Sequence, residues 1–171
     1  MIHRPPGALD PLLRSGLVFA GTRDPARPGP GNALVTALEL AGLDLWGTQL
    51  VVLSACDTGR GDVPLGQGVY GLRRAFLVAG AETVVTSPWK VEDETTSALM
   101  ELYYRHLLAG RGRGEALREA MRALRQHRPH PYYWAPFIVA GRDTPLRGLT
   151  AGDEARVTKG PAGVEPFVPA P

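Results

Sequence analysis

The only cysteine of this 171-residue chain, Cys56, stands in the segment Leu50-Val-Val-Leu-Ser-Ala-Cys-Asp-Thr-Gly59. An apolar run rich in β-branched residues ends there in small and polar ones. That pattern predicts a strand buried on both faces, of the kind found in parallel sheets. Open α/β sheets place their ligands beyond the carboxyl ends of such strands. A thiol three residues past Leu53 is therefore displayed, and Cys56 is a candidate nucleophile, active as the thiolate. The alternative is that it packs as a small buried hydrophobe, the commonest fate of a lone cysteine.

Other chemistry-bearing patterns carry less. Gly66-Gln-Gly-Val-Tyr-Gly71 satisfies G-x-G-x-x-G at the start of a helix. A dinucleotide fingerprint needs its first glycine directly after the strand, and here a loop separates it from Ala55. Those glycines fit close helix–sheet packing better. Arg60-Gly61-Asp62 spells an adhesion tripeptide of negligible information. Arg118, Arg122, Arg125 and Arg128 share one helical side, with Glu115 and Glu119 at pairing distances among them. The expectation is a solvated, salt-bridged face. His106, His127 and His130 lack an evident positioned partner and read as core or surface histidines.

The elements that must position these residues alternate along the chain. Leu17 to Ala20 reads as a short strand, Ala33 to Leu45 as a mixed apolar segment, and 50–55 as the buried strand. Leu65, Val69, Leu72 and Phe76 recur at helical spacing and predict a helix ending near Gly80. Thr83 to Ser87 is a second buried strand. Thr95, Leu99, Leu102, Tyr103 and His106 mark a helix closed by Gly110, and Leu117, Ala120, Met121 and Leu124 mark another. Phe137 to Ala140 reads as a last strand. The order predicts an α/β fold with a mainly parallel sheet covered by helices.

Composition bounds the rest. Hydrophobic content of 44% and charged content of 21% are ordinary for a globular chain, and the net charge of +2 argues against a nucleic-acid partner. A single cysteine excludes an internal disulfide framework and fits a reducing, cytoplasmic setting. No apolar run reaches the length of a membrane span. Residues 1–9 read as an irregular remnant, 10–147 as the folded domain and 148–171 as a disordered tail. No cofactor or metal site is expected.

Several ordered motifs resemble the CHAT domain of caspase-like cysteine peptidases. They are Ser54-Ala-Cys-Asp-Thr-Gly59, Gly66 to Gly80, Ser87-Pro-Trp-Lys-Val-Glu-Asp-Glu-Thr-Thr96 and His130-Pro-Tyr-Tyr-Trp-Ala-Pro-Phe137. Pro11 to Leu17 and Leu38 to Leu45 also fit. The resemblance implies a caspase-like three-layer sandwich and Cys-His peptidase chemistry acting on a protein or peptide substrate. It gives Cys56 the role of nucleophile, and Asp57, Trp89 and Asp93 places beside the substrate groove. Structural packing is the expected role of Tyr132, Tyr133 and Trp134.

The chain departs from the family at its amino terminus. The family carries its catalytic histidine at the end of an earlier strand, usually before glycine. Here His3 stands at a plausible distance but within Met1-Ile-His-Arg-Pro-Pro6, with Arg4 in the glycine position. The expectation is a domain short of its first strands, with His3 as candidate general base. Two readings follow: a cysteine endopeptidase whose dyad is completed by His3 or an upstream segment, or a pseudo-peptidase acting as an interaction module. The family often joins this domain to helical tetratricopeptide (TPR) repeats, so an upstream TPR or sensor protein is the expected partner.

Overall fold

The computed structural model describes residues 12, 15–18, 34–53, 67–88 and 92–149. The chain divides into two compact units, Met1–Lys90 and Val91–Pro171. In the first unit β1 (Gly16–Val18) pairs antiparallel with β2 (Leu34–Thr36), in the register Gly16↔Thr36. Helix α1 (Ala37–Ala41) starts immediately after β2. Its entry is fixed by a capping box: the Glu39 amide donates to Thr36 Oγ1 at 3.2 Å, and the Thr36 amide donates to the Glu39 carboxylate at 2.7 Å. The sequence pattern left this segment unresolved. Leu34-Val-Thr36 is too short for a two-residue period to stand out, and the helix that follows is barely more than one turn.

Strand β3 (Val51–Leu53), helix α2 (Gln67–Val78) and strand β4 (Thr83–Thr86) follow. β3 and β4 pair in parallel, with Val51 opposite Val84 and Leu53 opposite Thr86. Parallel neighbours need a crossover, and α2 lies within it. The expected burial falls on one strand only: all four residues of β4 are buried, whereas the three of β3 are half-buried. Among the described residues of this unit β3 has a strand partner on one side alone, which leaves its other edge less covered. Ala37, Leu40, Leu72, Ala75, Phe76, Ala81 and Val84 form the core, so α1 and α2 share one apolar cluster with β4.

Gly80 closes α2. Its amide donates to Leu77 O and the Ala81 amide to Phe76 O, the bond pair of a Schellman ending, with Gly80 at φ +108°. A Cβ at Gly80 would lie 3.1 Å from the Trp46 backbone nitrogen. The Leu45 amide donates to Ala79 O at 2.8 Å, tying the turn after α1 to this helix end.

The second unit contains α3 (Asp93–Leu108), α4 (Arg113–His127), α5 (Pro131–Trp134) and β5 (Ile138–Gly141). α3 buries Thr95, Ala98, Leu99, Tyr103 and Leu107, close to the face expected from spacing, and ends at Gly110 as expected. α4 buries Ala116, Leu117, Ala120 and Leu124. It also buries Arg113 completely, which spacing alone did not indicate. The short α5 opens with Pro131, and the His130 ring accepts from the Tyr132 amide at 3.2 Å.

Candidate functional site

The candidate site is built on the carboxyl ends of two parallel strands. Leu53 and Thr86 lie side by side, and the Ser87 amide donates to Leu53 O at 3.3 Å, carrying the pairing past β4. Both strands therefore end at the same level. Cys56 follows Leu53 by three residues and Trp89 follows Thr86 by three. Thr86 and Ser87 are buried, and the Thr86 hydroxyl has no partner among the described residues. Val84 and Thr86 share the strand face that carries the α1–α2 core, while Ser87 belongs to the opposite face.

His3, Cys56, Asp57 and Trp89 all lie outside the described residues. Asp93 is described: it is the first residue of α3, exposed, and followed by Glu94 in the same turn. Acidic side chains at that position favour the helix through its dipole, so Asp93 has a structural role independent of any substrate. Beside it the buried Thr95 hydroxyl donates to the Glu92 carboxylate. Among the described residues no cluster of His, Cys, Asp and Glu could hold a metal ion.

The second unit holds a cluster that the sequence did not reveal. Asp143, just after β5, accepts at Oδ1 from the Gly114 amide at 2.7 Å and capped so replaces the missing side-chain cap of α4, whose own N-cap is Gly112. Tyr103 from α3 is fully buried, and its hydroxyl has no hydrogen-bond partner among the described residues. Burial pushes its phenol well above the ordinary value; Tyr104 and Asp143 push the same way, and Arg113 opposes them. A glycine-flanked arginine opening a helix was the available signal, but Tyr103, on whose phenol it acts, and Asp143, which acts on the same phenol, are distant in sequence.

The arginine side of α4 differs from the expected salt-bridged face. Glu115 pairs with Arg111 at 3.2 Å and Glu119 with Arg122 at 2.8 Å. Arg118, Arg125 and Arg128 are exposed without a carboxylate partner among the described residues. Arg125 instead lies over the Trp134 ring at 5.4 Å, and Arg128 over Tyr133 at 5.5 Å. Trp134 and Tyr133 are thus half-buried partners of arginines, and Tyr132 is exposed.

The family model for the CHAT domain matches residues 7–142. The chain belongs to the CHAT domain family. Its mixed α/β content, helices together with small sheets, agrees with the caspase-like fold expected of a CHAT domain. The chain is similar to tetratricopeptide repeat protein 28 of Mus musculus and of Homo sapiens, 36% identical to each over 115 residues. Those matches cover 66% of this chain and only 5% of each relative, so the CHAT domain described here spans a small part of the relatives' length. No solved structure matches. Among the described residues no helix of this CHAT domain is long and apolar enough to cross a membrane.

Proposed function

We propose that this CHAT domain is a cysteine endopeptidase domain with Cys56 as nucleophile. The observation that carries the reading is the parallel alignment of Leu53 with Thr86, so that β3 and β4 end side by side, three residues before Cys56 and Trp89 in the sequence. In the proposed reaction the Cys56 thiolate attacks a peptide carbonyl carbon, and backbone amides near it stabilise the oxyanion. The imidazolium returns its proton to the leaving amine. Water, deprotonated by the same imidazole, then releases the acyl group and restores the thiol. His3 is the base this reading assigns, with Asp57, Trp89 and Asp93 as substrate-binding residues. The tetratricopeptide repeat proteins among its relatives support a setting in which a repeat segment presents or senses the substrate.

The test is the pH dependence of Cys56 alkylation by iodoacetamide, which reports one site because the chain has one cysteine. An apparent thiol pKa well below the free value of about 8.5 is expected, returning toward it in His3→Gln. A depressed value unmoved in His3→Gln transfers the base role to another residue. An undepressed value in the parent chain replaces the peptidase with a non-catalytic interaction module. The relatives named for repeats, which serve protein contacts as solenoids, favour that second reading over any other enzyme class.

A further inference from the structure

The free arginines of α4 form a surface of their own. Arg118, Arg122 and Arg125 oppose the buried stripe of Ala116, Leu117, Ala120 and Leu124, and Arg128 follows at the helix end. Arg122 is held by Glu119, which leaves Arg118, Arg125 and Arg128 with uncompensated charge. Two of these are oriented by rings. The Trp134 indole N–H donates to Pro129 O at 3.1 Å and so fixes the plane that Arg125 covers. Tyr133 stands edge-on to Tyr132, with centroids 5.3 Å apart, and carries Arg128. A guanidinium already held over a ring by cation–π attraction loses less freedom on binding a carboxylate.

We infer that this face binds an acidic, extended peptide segment of a partner protein. From Arg118 to the helix end at His127 α4 rises about 14 Å, with Arg128 next in the chain, a length that an extended peptide of about five residues spans. Carboxylates match the bidentate geometry of guanidinium groups. Charge separates this partner from a nucleic acid: the chain carries a net +2, and three uncompensated arginines neutralise few phosphates. The surface is independent of Cys56, so a catalytically silent chain would still carry it.

The experiment titrates a fluorescein-labelled hexaglutamate peptide with the full chain and reads anisotropy. The expected result is saturable binding that weakens about tenfold in the Arg125→Gln/Arg128→Gln double variant, as loss of two charge-assisted pairs requires. The Arg125→Lys/Arg128→Lys variant keeps the charge but not the planar, bidentate guanidinium, and should fall between the two. Arg105→Gln removes an exposed arginine of α3 that already pairs with Glu101, and should bind like the parent chain. Near-identical circular dichroism and melting across these surface variants keeps the comparison one of binding. Absence of peptide binding, or equal binding by the double glutamine variant, overturns the inference. Displacement of the peptide by oligothymidine of equal charge at lower concentration than by unlabelled hexaglutamate also overturns it, and reassigns the face to single-stranded nucleic acid.

Discussion

Asp143 caps a helix from a distance in sequence: its Oδ1 accepts from the amide of Gly114, twenty-nine residues earlier, at 2.7 Å. A Cβ at Gly112 would lie 2.7 Å from the same oxygen and 3.1 Å from the Asp143 carbonyl oxygen. The carboxylate is therefore admitted to the helix end by the glycines around Arg113. Asp143→Ala should destabilise the chain by about 1 kcal/mol, as loss of a side-chain cap does. Gly112→Ala should also destabilise it, by displacing the carboxylate. Because both changes remove one contact, the double variant should cost less than their sum. Urea unfolding of the four proteins measures this; strict additivity would mean that Gly112 does not act through Asp143.

Gly80→Ala should be more damaging than an ordinary glycine replacement. At φ +108° any side chain is strained, at a cost of about 1–2 kcal/mol for the left-handed region. The new Cβ would also meet the Trp46 backbone nitrogen, which cannot rotate away. Chemical unfolding should show a loss of at least that strain, whereas a neutral result would mean that the turn at Trp46 shifts freely.

The capping box at α1 makes a pH prediction. Hydrogen bonds from Thr36, first from its amide and then from its hydroxyl, hold the Glu39 carboxyl below its usual value. A carboxylate depressed on folding stabilises above its unfolded pKa, and the benefit disappears as pH falls through the folded value. Glu39→Gln should therefore be less stable than the parent at neutral pH and equal to it in acid. Unfolding free energies measured across that range check it, and a difference independent of pH would remove the charge from the explanation.

The sequence made the parallel core legible because its signals are local. Val51 to Leu53 and Thr83 to Thr86 are β-branched runs, and Val69, Leu72 and Phe76 repeat at helical spacing across the connection. The difference in burial between β3 and β4 was not legible, since the same apolar run suits a covered strand and a half-covered one. β1, Gly16 to Val18, overlaps the short strand read at Leu17 to Ala20, but its partner was hidden for a different reason: Leu34 to Thr36 is too short to show a period. The fate of the α4 arginines also lay beyond pattern. Spacing allowed Glu115 to face Arg118, but Glu115 turns to Arg111, and the rings of Tyr133 and Trp134 take the next arginines. At the candidate site, Asp93, expected beside the substrate groove, stands as the first residue of α3, while the roles of His3, Cys56, Asp57, Trp89 and Asp93 rest on the family pattern.

Tyr103 is the large aromatic buried on α3. Its ring fills the interior of the second unit, while its hydroxyl is buried without a hydrogen-bond partner among the described residues. Removing an unsatisfied buried polar group is near neutral or stabilising, so Tyr103→Phe should unfold at the same or higher urea concentration. Tyr103→Ala should lose about 3–5 kcal/mol, the range for emptying an aromatic site. The two variants separate packing from hydrogen bonding. Alkaline pH separates a further effect. Burial raises the Tyr103 phenol on folding, so its contribution is present below the unfolded value near 10 and is lost as pH rises above it. The parent chain should therefore lose more stability than Tyr103→Phe between neutral pH and about pH 11. A phenylalanine variant less stable at neutral pH, with the same alkaline loss as the parent, would show that the hydroxyl is satisfied in solution.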